Sequence, residues 1–279
     1  MVAFAPPVID THCHLTFTVF QERIAEELEA MREAGVRGAI TVATTSEDAK
    51  KAAALAARHE CLWHSSGVHP LHSDEPVNWG DLRDAARSPR CVAWGELGLD
   101  RHYSDPPQAI QRRVLEEQLD RVLRWNHEDG AKPVIVHCRD AFDDLLPVLA
   151  ASGLPSERFV FHCFTGTPQE ARRVLDFGAW ISFTGVVTYA NAPGVAEAAT
   201  LVPEDRIMVE TDAPFLSPEP IRTARPNRPA HVVHVARFLA RLRAAEEEDF
   251  FRQLDLNACR FFGLPAAGPE ALNPPAARC

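Results

Sequence analysis

Eight short apolar runs, each followed by helical patterning, set the narrowest limit on how this chain can fold. The runs read as strands over 8–11, 38–43, 62–68, 91–94, 133–136, 159–161, 180–183 and 207–211. Helical periodicity covers about 20–33, 46–58 (with Ser46 as N-cap), 108–126, 141–151, a stretch through Ala171, Val174 and Leu175, then 195–199, 231–245 and 247–262. A segment holding Trp79, Leu82 and Ala86 is looser. This alternation predicts an α/β fold of the (β/α)8 TIM-barrel type, which 279 residues accommodate as one domain. A doubly wound open sheet is the competing arrangement, but no Gly-x-Gly-x-x-Gly turn supports a dinucleotide-binding version. Residues 1–264 read as a single barrel domain, and 265–279 as a Pro/Ala-rich tail with a frayed end.

The runs end in one chemistry. Strand one closes on His12 and His14, strand three on His69, strand four on Glu96, strand five on His137, strand six on His162 and strand eight on Asp212. In an extended strand residues i and i+2 share a face, so His12 and His14 point into one space. Barrels of this type carry their chemistry at the carboxyl ends of the strands. Leaving His69 aside, the other six are nitrogen and oxygen donors suited to divalent cations. A single such histidine can be a core residue satisfied by backbone, but the whole set at one rim is better explained by a two-metal hydrolytic site. Mg²⁺, Mn²⁺ and Zn²⁺ are the candidate ions.

Composition narrows the partners. Net charge is −10, from 29 basic and 39 acidic residues, which argues against a broad surface that coats nucleic acid but not against one held at a small site. The basic residues are almost all arginine, since lysine occurs only at Lys50, Lys51 and Lys132. Seven cysteines show no Cys-x-x-Cys spacing. Cys13, Cys138 and Cys163 each follow a rim histidine, so alternation turns them against the helices as small buried hydrophobes. There is no basic, apolar leader and no run near 18 apolar residues, so a cytoplasmic protein with no membrane partner is expected, acting as a monomer.

Six stretches resemble the TatD-related metal-dependent deoxyribonucleases among the amidohydrolase-type barrels. They are Ile9-Asp10-Thr11-His12-Cys13-His14, Gly67-Val68-His69-Pro70, Gly95-Glu96-Leu97-Gly98-Leu99-Asp100, His137-Cys138-Arg139-Asp140-Ala141, His162-Cys163-Phe164-Thr165-Gly166 and Glu210-Thr211-Asp212-Ala213-Pro214-Phe215-Leu216. The resemblance implies that His12, His14, Glu96 and Asp212 serve one metal and Glu96, His137 and His162 the other. Glu96 would bridge, as a carboxylate can and an imidazole cannot. Many related barrels bridge with a carboxylated lysine, but Lys132 opens strand five at the wrong end and Lys50 and Lys51 lie in a helix.

The implied activity is cleavage of DNA phosphodiesters by a cation-activated water, as a 3′-5′ exonuclease. The alternative keeps the metals and changes the bond, as in an ester or amide hydrolase such as a deacylase acting on aminoacyl-tRNA. Asp212 is expected to take a proton as well as ligate. His69 either faces the phosphate or leaving group or forms a structural His-Pro turn. Arg139 either binds phosphate or turns toward the helices, and Asp100 either orients a ligand or caps its loop. Tyr103, Arg222, Arg225 and Arg228 lie in loops expected to overhang the mouth, as substrate contacts or as a solvated face. One departure stands out: the family usually carries Asn-Glu-Pro after strand eight, and here the residues are Asn227-Arg228-Pro229.

Overall fold

Every apolar run becomes one strand of a single parallel sheet. The computed structural model describes residues 7–266. In chain order the strands are β1 Val8–Cys13, β2 Val36–Thr41, β3 Leu62–Ser66, β4 Cys91–Asp100, β5 Val134–Arg139, β6 Phe159–Phe161, β7 Trp180–Phe183 and β8 Ile207–Val209, each hydrogen-bonded to the next. A bridge between Cys13 and Ala213 brings the last strand back to the first. Asp10 ties the same seam, accepting from Thr211 N at 2.9 Å and Thr211 Oγ1 at 2.6 Å. The result is a (β/α)8 barrel.

Around it run α1 Ile24–Ala34, α2 Ser46–Ala56, α3 Trp79–Ala86, α4 Gln108–Asp129, α5 Phe142–Ala151, α6 Pro168–Phe177, α7 Pro193–Leu201, α8 Val232–Leu242 and α9 Glu247–Phe262. The looser segment is thus a true helix, started by Asn78, whose side chain accepts from Gly80 N and Asp81 N. The cap of α2 is Thr45 rather than Ser46, its side chain accepting from Asp48 N. Strand four is longer than expected because Leu97 and Leu99 continue its outward apolar face past Gly95. Most of the expected tail, 267–279, lies outside the described residues.

Two apolar layers follow from strand alternation. One cluster fills the barrel interior with Ile9, Ile40, Ile135, Val160 and Met208, and Phe261 and Phe262 of α9 close it from below. The other joins the outward faces, such as Leu62, Val136, Phe161 and Phe183, to the helices. With the lower interior packed, only the upper rim is left to hold polar side chains.

Two register breaks aim that rim. In β1 the pairing shifts between Asp10 and Cys13, so that Thr11 and His12 both turn toward the interior while Cys13 joins the outer layer. In β4 it shifts between Trp94 and Leu97, which swings Glu96 inward. Gly95 permits this at φ +115°, where a Cβ would lie 2.5 Å from the Ile135 carbonyl oxygen.

Candidate metal centre

Glu96 lies at the middle of the rim and is buried. Its Oε1 is 3.5 Å from His12 Nε2 and 3.6 Å from His14 Nε2. Asp212 Oδ1 joins that side, 3.2 Å from His14 Nε2 and 3.8 Å from His12 Nε2. Glu96 Oε2 faces the other way, 2.7 Å from His162 Nε2 and 3.4 Å from His137 Nδ1. One carboxylate therefore presents one oxygen to each of two donor groups.

The partners of the distal ring nitrogens decide which rings can ligate. His14 Nδ1 donates to the Val42 carbonyl at 3.0 Å, and His137 Nε2 donates to Asp100 Oδ2 at 3.0 Å. His162 Nδ1 faces Glu210 Oε1 at 3.5 Å. In the neutral His14 and His137 rings the hydrogen sits on the outer nitrogen and the lone pair faces Glu96. His69 has the opposite polarity. Its Nδ1 accepts the Leu71 amide hydrogen at 3.0 Å, so the neutral ring carries its hydrogen on Nε2. That nitrogen lies 3.1 Å from His137 Nδ1 and 3.8 Å from Glu96 Oε2, close enough to join a donor cluster by distance but equipped to donate a hydrogen bond rather than a lone pair.

The donor set fits divalent cations. Both nitrogens of buried His12 lack a hydrogen-bond partner, and Glu96 Oε2 meets His162 Nε2 without hydrogen-bond alignment. Candidate ligand atoms gather within 4.8 Å of one another in three overlapping groups, two of which contain Glu96. Buried ring nitrogens and carboxylate oxygens gathered this tightly are costly unless positive charge, a cation or a proton, sits among them.

Charge reinforces this. Burial opposes ionisation of Glu96, but the facing histidines, His162 foremost, outweigh it and hold the carboxyl well below its ordinary range. Burial likewise opposes protonation of His14, and the Asp212 and Glu96 carboxylates overcome it, bringing that imidazole up to about 9. Asp212 is held below its ordinary value by His14 and His12 against the cost of burial. Burial, then the neighbouring His137, drives His69 well down, leaving it a neutral N–H donor.

Above the cluster opens a cavity of about 720 Å³, lined in part by Phe17, Tyr103, Arg139, Cys163 and Phe215. Arg139 faces the mouth because it lies two residues beyond His137 on the same strand face. Asp100 does two jobs, since its Oδ1 also accepts from His102 N at 2.9 Å and Tyr103 N at 3.2 Å.

Several expectations require correction. Cys13 and Cys138 are buried in the outer apolar layer, but Cys163 is only partly buried and lies outside that layer, because its backbone takes a left-handed φ of 44° and breaks the alternation. Arg228 does not overhang the mouth. Its Nε donates to Glu27 Oε2 at 2.7 Å and its Nη2 to the Glu26 carbonyl, tying it to α1. Arg222 and Arg225 border a separate depression beside Glu219. Glu210 went unremarked as a site residue, although it stands in the strand-eight motif two residues before Asp212. Its Oε1 accepts from Cys163 N at 2.5 Å as well as facing His162.

Fold and site together define a metal-dependent hydrolase of the (β/α)8-barrel class. The chain matches the TatD-related DNase family over residues 9–263 and belongs to it. It is 35% identical over 271 residues to the metal-dependent hydrolase YcfH of Escherichia coli K12, covering 95% of this chain and 99% of that one. It is also 35% identical over 271 residues to the 3′-5′ ssDNA/RNA exonuclease TatD of Erwinia billingiae, covering 93% and 100%. The crystal structure of YJJV, a TatD homologue from Escherichia coli K12, superposes with a TM-score of 0.86 at 31% identity, covering 95% of this chain and all of that one. No helix among the described residues is long and apolar enough to cross a membrane.

Proposed function

We propose that the chain hydrolyses phosphodiester bonds of single-stranded DNA from the 3′ end, using two divalent cations held at the barrel rim. The observation that carries this is the division of Glu96, with Oε1 toward His12, His14 and Asp212 and Oε2 toward His137 and His162. In this reading Glu96 would serve both sites, and Mg²⁺, Mn²⁺ or Zn²⁺ held there would supply acidification of a water and stabilisation of phosphoryl charge.

The chain's own residues do the rest. Asp212, held ionised, takes the proton of the attacking water at a carboxylate oxygen. His69 donates its Nε2 hydrogen to a phosphate or leaving-group oxygen. Arg139 has no ion pair among the described residues and supplies a free guanidinium to the phosphate at the mouth. The buried floor beneath Glu96 keeps bulk water from the far side of the reaction.

The test incubates purified protein with Mg²⁺ or Mn²⁺ and 5′-labelled single-stranded DNA beside an aminoacyl ester. A ladder shortening from the 3′ end is the expected result, and ester cleavage without any ladder overturns it. A Glu96→Ala variant is expected to lose both bound metal by elemental analysis and turnover; retention of both refutes the bridge.

A further inference from the structure

Among the described residues four large hydrophobic side chains are exposed, Val19, Tyr103, Phe215 and Leu256. The two aromatic ones both line the metal cavity. Tyr103 is 47% exposed and lies just beyond β4, whereas Phe215 is 50% exposed and lies just beyond β8. In an eight-stranded barrel closed in chain order, strands four apart stand on opposite sides, so the two rings flank the metal cluster across its width.

Each ring is braced rather than free. Phe17 stacks on His14, with centroids 4.7 Å apart and planes 15° apart, and Phe215 meets Phe17 edge-on at 6.1 Å. On the far side the Arg139 guanidinium lies 5.4 Å over the Tyr103 ring, and His102 packs edge-on at 4.8 Å. A cation seated on one aromatic rim beside a cavity that gathers metal ligands suits an anionic chain that carries flat groups.

We infer that Phe215, supported by Phe17, and Tyr103, supported by Arg139, are stacking platforms for the two nucleobases on either side of the scissile phosphate. This rests on the nuclease reading and deepens it, because it makes the unpaired base part of what is recognised. Base stacking on an aromatic ring tolerates any sequence, since every base has a π face. It excludes intact duplex, where those faces are covered by neighbouring pairs. The two bases must be splayed onto opposite walls, which draws the phosphate between them down toward Glu96. The minimal substrate is therefore a dinucleotide with both bases present.

The test pairs protein and substrate changes. Single-stranded oligonucleotides are made intact or with a base-free tetrahydrofuran residue at the last or penultimate position. With wild-type protein the abasic residues are expected to raise KM at least about fivefold with kcat little changed. Phe215→Leu and Tyr103→Leu should raise KM for the intact strand similarly and remove the penalty for one abasic position each. Phe215→Tyr and Tyr103→Phe should behave as wild type. Binding is read independently from quenching of 2-aminopurine at each position in a strand whose terminal linkage is a cleavage-resistant phosphorothioate. Quenching that each Leu variant abolishes at one position supports the platforms. Wild-type cleavage of DNA with equal KM for intact and abasic strands, and quenching untouched by either Leu variant, overturns the platforms and leaves the nuclease reading standing. No cleavage and no quenching overturns both.

Discussion

The direction of a single hydrogen separates His69 from His14 and His137. Val42 and Asp100 accept from the outer nitrogens of His14 and His137, and so leave the inner lone pairs for a cation, while Leu71 reverses the order at His69. Removing one of these outer partners should weaken metal binding without disturbing the barrel. Asp100→Asn is the cleanest case, because an asparagine Oδ1 still accepts from His102 N and Tyr103 N and so keeps the loop in place. We expect metal affinity to fall by roughly 10–100-fold with an unchanged far-UV circular dichroism spectrum. Calorimetric titration with Mn²⁺ measures it, and unaltered affinity would show that the carboxylate does not orient His137. The ligands themselves were legible in the sequence as rim residues. Among their partners Asp100 was legible too, with both of its alternative roles realised, but a backbone carbonyl such as that of Val42 leaves no signature in the side-chain alphabet.

At the level of elements, the bulge in β4 converts an ordinary strand into the carrier of the bridge. Without the register shift, alternation from inward Ala93 would point Leu97 rather than Glu96 at the rim. Gly95→Ala places a methyl 2.5 Å from the Ile135 carbonyl at φ +115°, so it should cost at least about 2 kcal/mol and displace Glu96. Urea unfolding together with metal content checks both halves, and a variant that binds metal normally would refute the account.

The loop after β8 offers a second case. Arg228, standing where the family carries glutamate, meets fully buried Glu27 of α1. Truncating it to alanine should destabilise by about 2 kcal/mol, moderated by Arg23 Nη2 at 3.6 Å from the same carboxylate, and should leave KM for DNA unchanged. A raised KM with unchanged stability would return Arg228 to the substrate. Periodicity revealed the strands and the shared face of His12 and His14, but not the phase shifts in β1 and β4. A bulge adds one residue without altering composition, and the left-handed turn at Cys163 is equally silent. Arg228 was misplaced for a related reason, since its partner lies 201 residues away in sequence.

Taken whole, the molecule buries titratable groups away from the rim as well as at it, and this carries a consequence for acid stability. His64 of β3 is fully buried, with Nδ1 donating to the Ser65 carbonyl at 3.1 Å and Nε2 without a partner. Burial, aided by Lys132 and Arg90, pulls its pKa from 6.5 down to about 4. In the unfolded chain the same imidazole protonates near 6.5. Between those values the unfolded state binds a proton that the folded state refuses, so stability rises with pH through that window. The contribution is complete above about pH 6.5 and lost by about pH 4, a span worth about 3 kcal/mol. His64→Gln removes the titrating group while keeping an amide that can donate to the same carbonyl. Wild type and variant should therefore differ in the slope of unfolding free energy against pH, not only in its height, with the variant flatter between pH 4 and 6.5. Urea denaturation in metal-free buffer across that range, followed by tryptophan fluorescence, measures the two slopes. Parallel curves would mean that His64 takes up its proton in the folded barrel as readily as in the open chain, and that the wall of β3 is wetter than its burial implies.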